Sequence, residues 1–157
     1  MNLEIKEYTK DRIGDVLDFE RRLREEEDFW GWEINDAYIQ TVEKSFDDNA
    51  FETSISLLAY VDGKVVGRID STMIASHFDG LKKAYLDWIC VLKSYRHQQV
   101  AQHLLMKLIQ RWKMQGVDTL IALTASNDEA QRFYKSIAHS EMRDIGIWID
   151  INQYESF

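Results

Sequence analysis

The stretch Tyr85-Leu-Asp-Trp-Ile-Cys-Val91, followed three residues later by Tyr95-Arg-His-Gln-Gln-Val-Ala101, decides the fold. An apolar run of strand character breaks into a short polar loop. The loop then opens an amphipathic helix. The first backbone N–H groups of a helix have no acceptor inside it, so a strand–loop–helix junction is a natural cradle for phosphate. One carboxylate, Asp87, interrupts the apolar strand and lies close in sequence to that cradle.

Working outward, the helix is expected over about 98–115. Val100, Leu104 and Leu108 form one row, with Ala101, Leu105, Ile109 and Trp112 beside it. Arg111 and Lys113 complement its C-terminal dipole, and Gly116 suits the stop. Upstream, Ile55–Val61 and Lys64–Ala75 flank Asp62-Gly63, the signature of a tight hairpin turn. Gly67 predicts a bulge or a close backbone approach. Leu3–Tyr8 reads as a first strand, with Thr9 or Asp11 capping a helix on the stripe Ile13, Val16, Leu17 and Leu23. Arg24–Trp32 reads as an acidic, aromatic loop, and Asn35 or Asp36 opens a second helix. Downstream come a short strand at Thr119–Leu123, a helix capped by Asn127 running to about Ile137, and a last strand at Ile145–Ile151. A further short strand near His139–Met142 would make seven.

At 157 residues and 45% apolar content, one domain spanning 1–157 is expected. The net charge of −8 argues against nonspecific nucleic-acid binding and favours cationic ligands. Cys90 is the only cysteine, so no intrachain disulfide can form. Charges at Glu4, Lys6, Glu7, Lys10 and Asp11 interrupt any N-terminal apolar run, and no stretch approaches membrane-spanning length. A cytoplasmic protein without membrane contact is the expectation. His77, His97, His103 and His139 lack metal-ligand spacing, so no metal is expected.

This element order resembles the GNAT superfamily of N-acetyltransferases across nearly the whole chain. The family's loop signature, (Arg or Gln)-x-x-Gly-x-(Gly or Ala), reads here Arg96-His-Gln-Gln99-Val-Ala101, with Gln99 in place of the central glycine. Asn127-Asp-Glu-Ala130-Gln-Arg-Phe133-Tyr134-Lys135 resembles the family's Asn…Tyr helix, although Ala138-His139 replaces the usual Gly-Phe. The strand around Asp87 is similar to that of polyamine acetyltransferases, which carry glutamate there. The resemblance implies an α/β (α+β) fold: a mixed, largely antiparallel twisted sheet of six to seven strands with about four helices.

It also implies acetyl-CoA as co-substrate. The cofactor-binding residues would be Ile89, Cys90 and Val91 through their backbone, the loop Arg96, His97, Gln98, Gln99, Val100 and Ala101, and Asn127 and Tyr134. An amine acceptor must lose a proton before it attacks. Asp87 is the candidate base, directly or through a water, and burial in an apolar strand would increase its affinity for a proton. The other reading pairs Asp87 with a neighbouring base such as Arg68. Asp87 shares strand parity with Ile89 and Val91, which predicts one common face. Tyr134 is the candidate acid for the leaving thiolate. Cys90 is not a nucleophile in this pattern.

In this family the loop between the first two helices borders the acceptor. Glu26, Glu27, Trp30 and Trp32, with Asp87, are therefore candidate acceptor contacts through charge and cation–π interactions. The resulting expectation is an N-acetyltransferase acting on a primary amine of a small cationic molecule, polyamine- or aminoglycoside-like. A protein or peptide N-acetyltransferase and a catalytically silent acyl-CoA-binding domain stand as alternatives. The resemblance also makes a homodimer an expected assembly.

Overall fold

The computed structural model describes residues 1–28 and 31–154. The chain divides into two compact units, residues 1–122 and residues 123 onward. The first unit holds strands β1 (Leu3–Glu7), β2 (Ser54–Val61), β3 (Lys64–Ala75), β4 (Lys82–Val91) and β5 (Leu120–Ala122). Its helices are α1 (Ile13–Glu26), α2 (Asp36–Ser45) and α3 (Val100–Met114). The sheet order is β1-β2-β3-β4-β5. Every pair is antiparallel except β4–β5, which is parallel and therefore needs the crossover that α3 supplies.

The mixed α/β class and the four helices among the described residues match expectation, and Asp62-Gly63 turns the hairpin with φ of 49° and 75°. Gly67 satisfies both expectations. Val66 is the extra residue of a bulge against β2. A Cβ on Gly67 would lie 3.0 Å from Val100 Cγ1 and 3.2 Å from Leu104 Cδ1, so the start of α3 rests directly on β3. Val100, Leu104, Leu105, Leu108 and Trp112 bury that face. Trp112 Nε1 donates to the buried Ser71 hydroxyl at 3.0 Å, and that hydroxyl donates to Ile55 O at 2.9 Å. On the other face of the sheet, α1 buries Ile13, Val16, Phe19, Glu20 and Leu23.

Four expectations are corrected. Arg24–Glu26 is helical, because Leu23 extends the buried stripe and Arg24 donates to Glu20 O and Trp32 O at 2.7 and 2.6 Å. Thr9 and Asp11 bond to each other around a 3-10 turn at Lys10–Arg12 and do not cap α1 with their side chains. The sheet has five strands among the described residues, not six or seven. Ile145–Ile151 and His139–Met142 form no strand. Alternating isoleucines supply an apolar face, but a strand exists only where its N–H and C=O groups meet a second backbone. Ile145, Ile147, Trp148 and Ile151 are each more than three-quarters exposed.

The second unit carries α4 (Asp128–Lys135), capped by Asn127, whose side chain accepts from Ala130 N at 2.9 Å. No helix among the described residues is long and apolar enough to cross a membrane.

Candidate functional site

The decisive stretch folds as β4, a 3-10 turn at Lys93–Tyr95, and α3. Asp70 pairs with Trp88 and Ser71 with Leu86, so Asp87 has no partner on β3 and is the extra residue of a bulge. A bulge shifts the alternation by one. Ile89 and Val91 pair with Ile69 and Gly67, on the α3 face, whereas Trp88 and Cys90 pair with Asp70 and Arg68, on the α1 face. The expected common face of Asp87, Ile89 and Val91 is therefore lost. Asp87 is also exposed, where burial in an apolar strand was expected. Its charge reaches Tyr85, whose hydroxyl is shifted upward by burial first and by Asp87 second.

On its other side, β4 pairs with β5 only from Ala84 to Leu86. From Asp87 to Val91 that edge has no strand partner among the described residues. An open edge of this length can take an extended ligand by backbone pairing.

The loop then turns sharply. His97 and Gln99 hold φ of 60° and 64°, and Gln99 is the residue before the first helical residue of α3. A left-handed residue followed by a right-handed one points successive N–H groups into one concavity, a geometry suited to anions. Gln99 thus occupies the conformation that favours glycine. Its side chain is exposed and caps nothing. Gln98 Nε2 donates to Ser94 O at 3.1 Å, and Arg96 Nε donates to Val91 O at 3.1 Å.

Two expected acceptor contacts face this loop. Glu26 accepts from Ser94 N at 3.0 Å and from Ser94 Oγ at 2.7 Å. Burial pushes the Glu26 carboxyl up, but the Ser94 hydroxyl and amide more than reverse this and hold it below its ordinary range. Glu27 forms a 2.7 Å ion pair with Arg96. Trp32 packs edge-on against Trp88 at 5.8 Å and lies under the Arg24 guanidinium. Trp30 lies outside the described residues.

A buried charge network was not anticipated. Arg68 binds Glu20 at 3.2 Å through Nη1 and Asp70 at 3.1 Å through Nη2. Its Nε makes a 2.7 Å charge contact to Asp70 that is not an aligned hydrogen bond. Arg68 also lies over the Tyr8 and Trp88 rings. Glu20 is wholly buried and accepts from Tyr38 Oη at 2.7 Å. Burial, then the bond to Glu20, pushes the Tyr38 hydroxyl up to about 12, so it remains a neutral donor. Arg68 thus pairs with Glu20 and Asp70, which disposes of the reading that pairs it with Asp87. The signal was present: Glu20 follows Val16 by four residues and precedes Leu23 by three, on the buried stripe.

Cys90 shares the face of Arg68 and is half-buried. Burial pushes its thiol from 9.0 up to about 12, against the opposing pull of Arg96. Because thiolate is the reactive form, iodoacetamide at pH 8 is expected to label native Cys90 at least about tenfold more slowly than the unfolded chain. Equal rates, read by mass spectrometry, would refute that environment.

In the second unit, α4 presents Tyr134 half-buried, its ring edge-on to Phe133 at 5.4 Å. Asn127 is exposed and serves as the helix cap. Among the described residues, no group of three or more His, Cys, Asp and Glu side chains is arranged to hold a metal ion.

An open strand edge, a bulge, and a left-handed loop leading into a helix N-terminus define the class. The chain matches the acetyltransferase (GNAT) family over residues 7–138 and belongs to that family. It is an acetyltransferase of the GNAT type, a family whose members use acetyl-CoA. Similar solved structures include an aminoglycoside acetyltransferase from an uncultured soil metagenomic sample in complex with sisomicin (16% identity, 95% of this chain and 96% of that one, TM-score 0.79). AAC(6')-Iy in complex with the bisubstrate analogue CoA-S-monomethyl-acetylneamine is another (19% identity, 96% and 99% covered, TM-score 0.73). A ribosomal-protein-alanine N-acetyltransferase from Brucella melitensis biovar Abortus 2308 is a third (17% identity, 95% and 100% covered, TM-score 0.71). At these identities the likeness is one of fold. No curated protein matches the chain.

Proposed function

We propose that this chain is an acetyl-CoA-dependent N-acetyltransferase that acetylates a primary amine of a small cationic molecule, of the polyamine or aminoglycoside kind. The observation that carries the reading is the run of β4 from Asp87 to Val91, open along one edge and leading into the left-handed loop. The backbone of Ile89, Cys90 and Val91 would hold the pantetheine arm as an added strand. The amides of Gln98, Gln99, Val100 and Ala101, with the α3 dipole, would hold the pyrophosphate. Acetyl-CoA supplies the activated acyl group. The family match spans residues 7–138, across both compact units, which supports one catalytic domain.

Two features favour a cationic acceptor. The chain carries a net charge of −8. Asp87 is exposed at the β4 bulge, so its carboxylate is offered to a cationic ligand. The structures holding sisomicin and the acetylneamine analogue support the same class. Asp87 accepts the proton that the ammonium must lose, directly or through a water. Tyr134 donates to the departing thiolate.

Thiol release from acetyl-CoA against a panel of polyamines, aminoglycosides, amino acids and basic peptides tests the reading. Turnover with the first two groups is expected. Activity confined to peptides would move the acceptor class, and no turnover together with no calorimetric binding of acetyl-CoA would end it. Asp87→Asn is expected to lower kcat/KM by about a hundredfold and to flatten the acid limb of the pH–rate profile. An unchanged profile would remove Asp87 as the base.

A further inference from the structure

The loop adopts its conformation without glycine. For an L-residue the left-handed region crowds Cβ against the following carbonyl oxygen. Histidine is enriched there, as in His97, but glutamine is not, and Gln99 holds φ of 64°. Such residues persist only where the surroundings over-determine them. The end of α1 supplies that restraint. Both Glu26 carboxylate oxygens accept from Ser94, one from its amide and one from its hydroxyl. Glu27 grips the Arg96 guanidinium from one side, while Val91 O accepts from its Nε. Ser94 O then accepts from Gln98, which carries the restraint to the residue before Gln99.

We infer that Glu26 and Glu27 are positioning residues that hold the 93–99 loop in its left-handed form, the task a glycine at position 99 would make unnecessary. The inference rests on the proposed reading only in taking acetyl-CoA as the loop's ligand. It gives these carboxylates a place beneath the cofactor cradle rather than in the acceptor pocket. It also predicts a dependence between residues 26 and 99, although the Glu26 carboxylate bonds to Ser94 and not to Gln99.

A double-mutant cycle on the full chain decides it, using Glu26→Ala, Gln99→Gly and both together, with Ser94→Ala as a milder variant. Amide hydrogen exchange over 96–102 is read without ligand, and acetyl-CoA affinity by calorimetry. Glu26→Ala is expected to speed exchange and weaken binding by about tenfold each, with a smaller change for Ser94→Ala. In the Gln99→Gly background both effects should shrink to about twofold or less. Equal effects in the two backgrounds, or unchanged exchange in Glu26→Ala and Ser94→Ala, would overturn the inference. Wild-type chain that takes up no acetyl-CoA would instead overturn the proposed function, and the exchange arm would still decide the role of Glu26.

Discussion

Tyr134→Phe is expected to lower kcat for acetyl transfer by about a hundredfold or more while changing the acetyl-CoA Kd by less than about twofold. The substitution removes one oxygen and keeps the ring, so the edge-on packing against Phe133 survives. Helix α4 should also survive, because the Asn127 cap is independent of the hydroxyl. A thiolate leaves far more readily when a proton reaches it. A loss confined to kcat is therefore the mark of an acid acting as the bond breaks, whereas a loss of affinity alone would be the mark of a packing or binding group. Steady-state kinetics with calorimetry on the same preparation checks both. Full turnover in the phenylalanine variant would remove Tyr134 from the chemistry.

Arg68→Met is expected to destabilise the protein by about 3–5 kcal/mol. The guanidinium is the cation that faces both Glu20, wholly buried, and Asp70, largely buried. Nearby carboxylates raise its already high pKa despite burial, so it stays charged at every accessible pH. Methionine fills much of the same volume but leaves two carboxylates without their counter-charge. One Glu20 oxygen already lacks a hydrogen-bond partner among the described residues, which leaves little reserve. Urea melts at neutral pH check this, and a loss below about 1 kcal/mol would show the network to be energetically idle. Changing Glu20→Gln and Asp70→Asn together with Arg68→Met should restore most of the loss, because no charge is then stranded.

The order of elements was legible because each is specified locally. The α3 stripe, the Asp62-Gly63 turn and the Asn35 and Asn127 caps depend on residues within a few positions of one another. The junction from β4 into α3 was legible for the same reason: strand, loop and helix are contiguous. The bulge at Asp87 was not, since it exists only in the register of β4 against β3. That one inserted residue cancels the parity argument for Asp87. Glu26 and Glu27 looked like part of a free acidic loop until α1 proved long enough to carry them to Ser94 and Arg96. Ile145–Ile151 shows the opposite failure, a strand pattern with no strand partner among the described residues.

The family, the strand–loop–helix proposed to hold the cofactor, and the exceptional glutamine in its loop were all readable from the chain, since they reside in contiguous residues and their spacing. Tertiary contacts were needed to show that Asp87 is an exposed bulge residue, that Arg68 belongs to a buried triad, and that the acidic end of α1 bonds to Ser94 and Arg96. Each of those depends on hydrogen bonds or ion pairs between residues distant in the chain, and no local pattern encodes which distant group a carboxylate will meet.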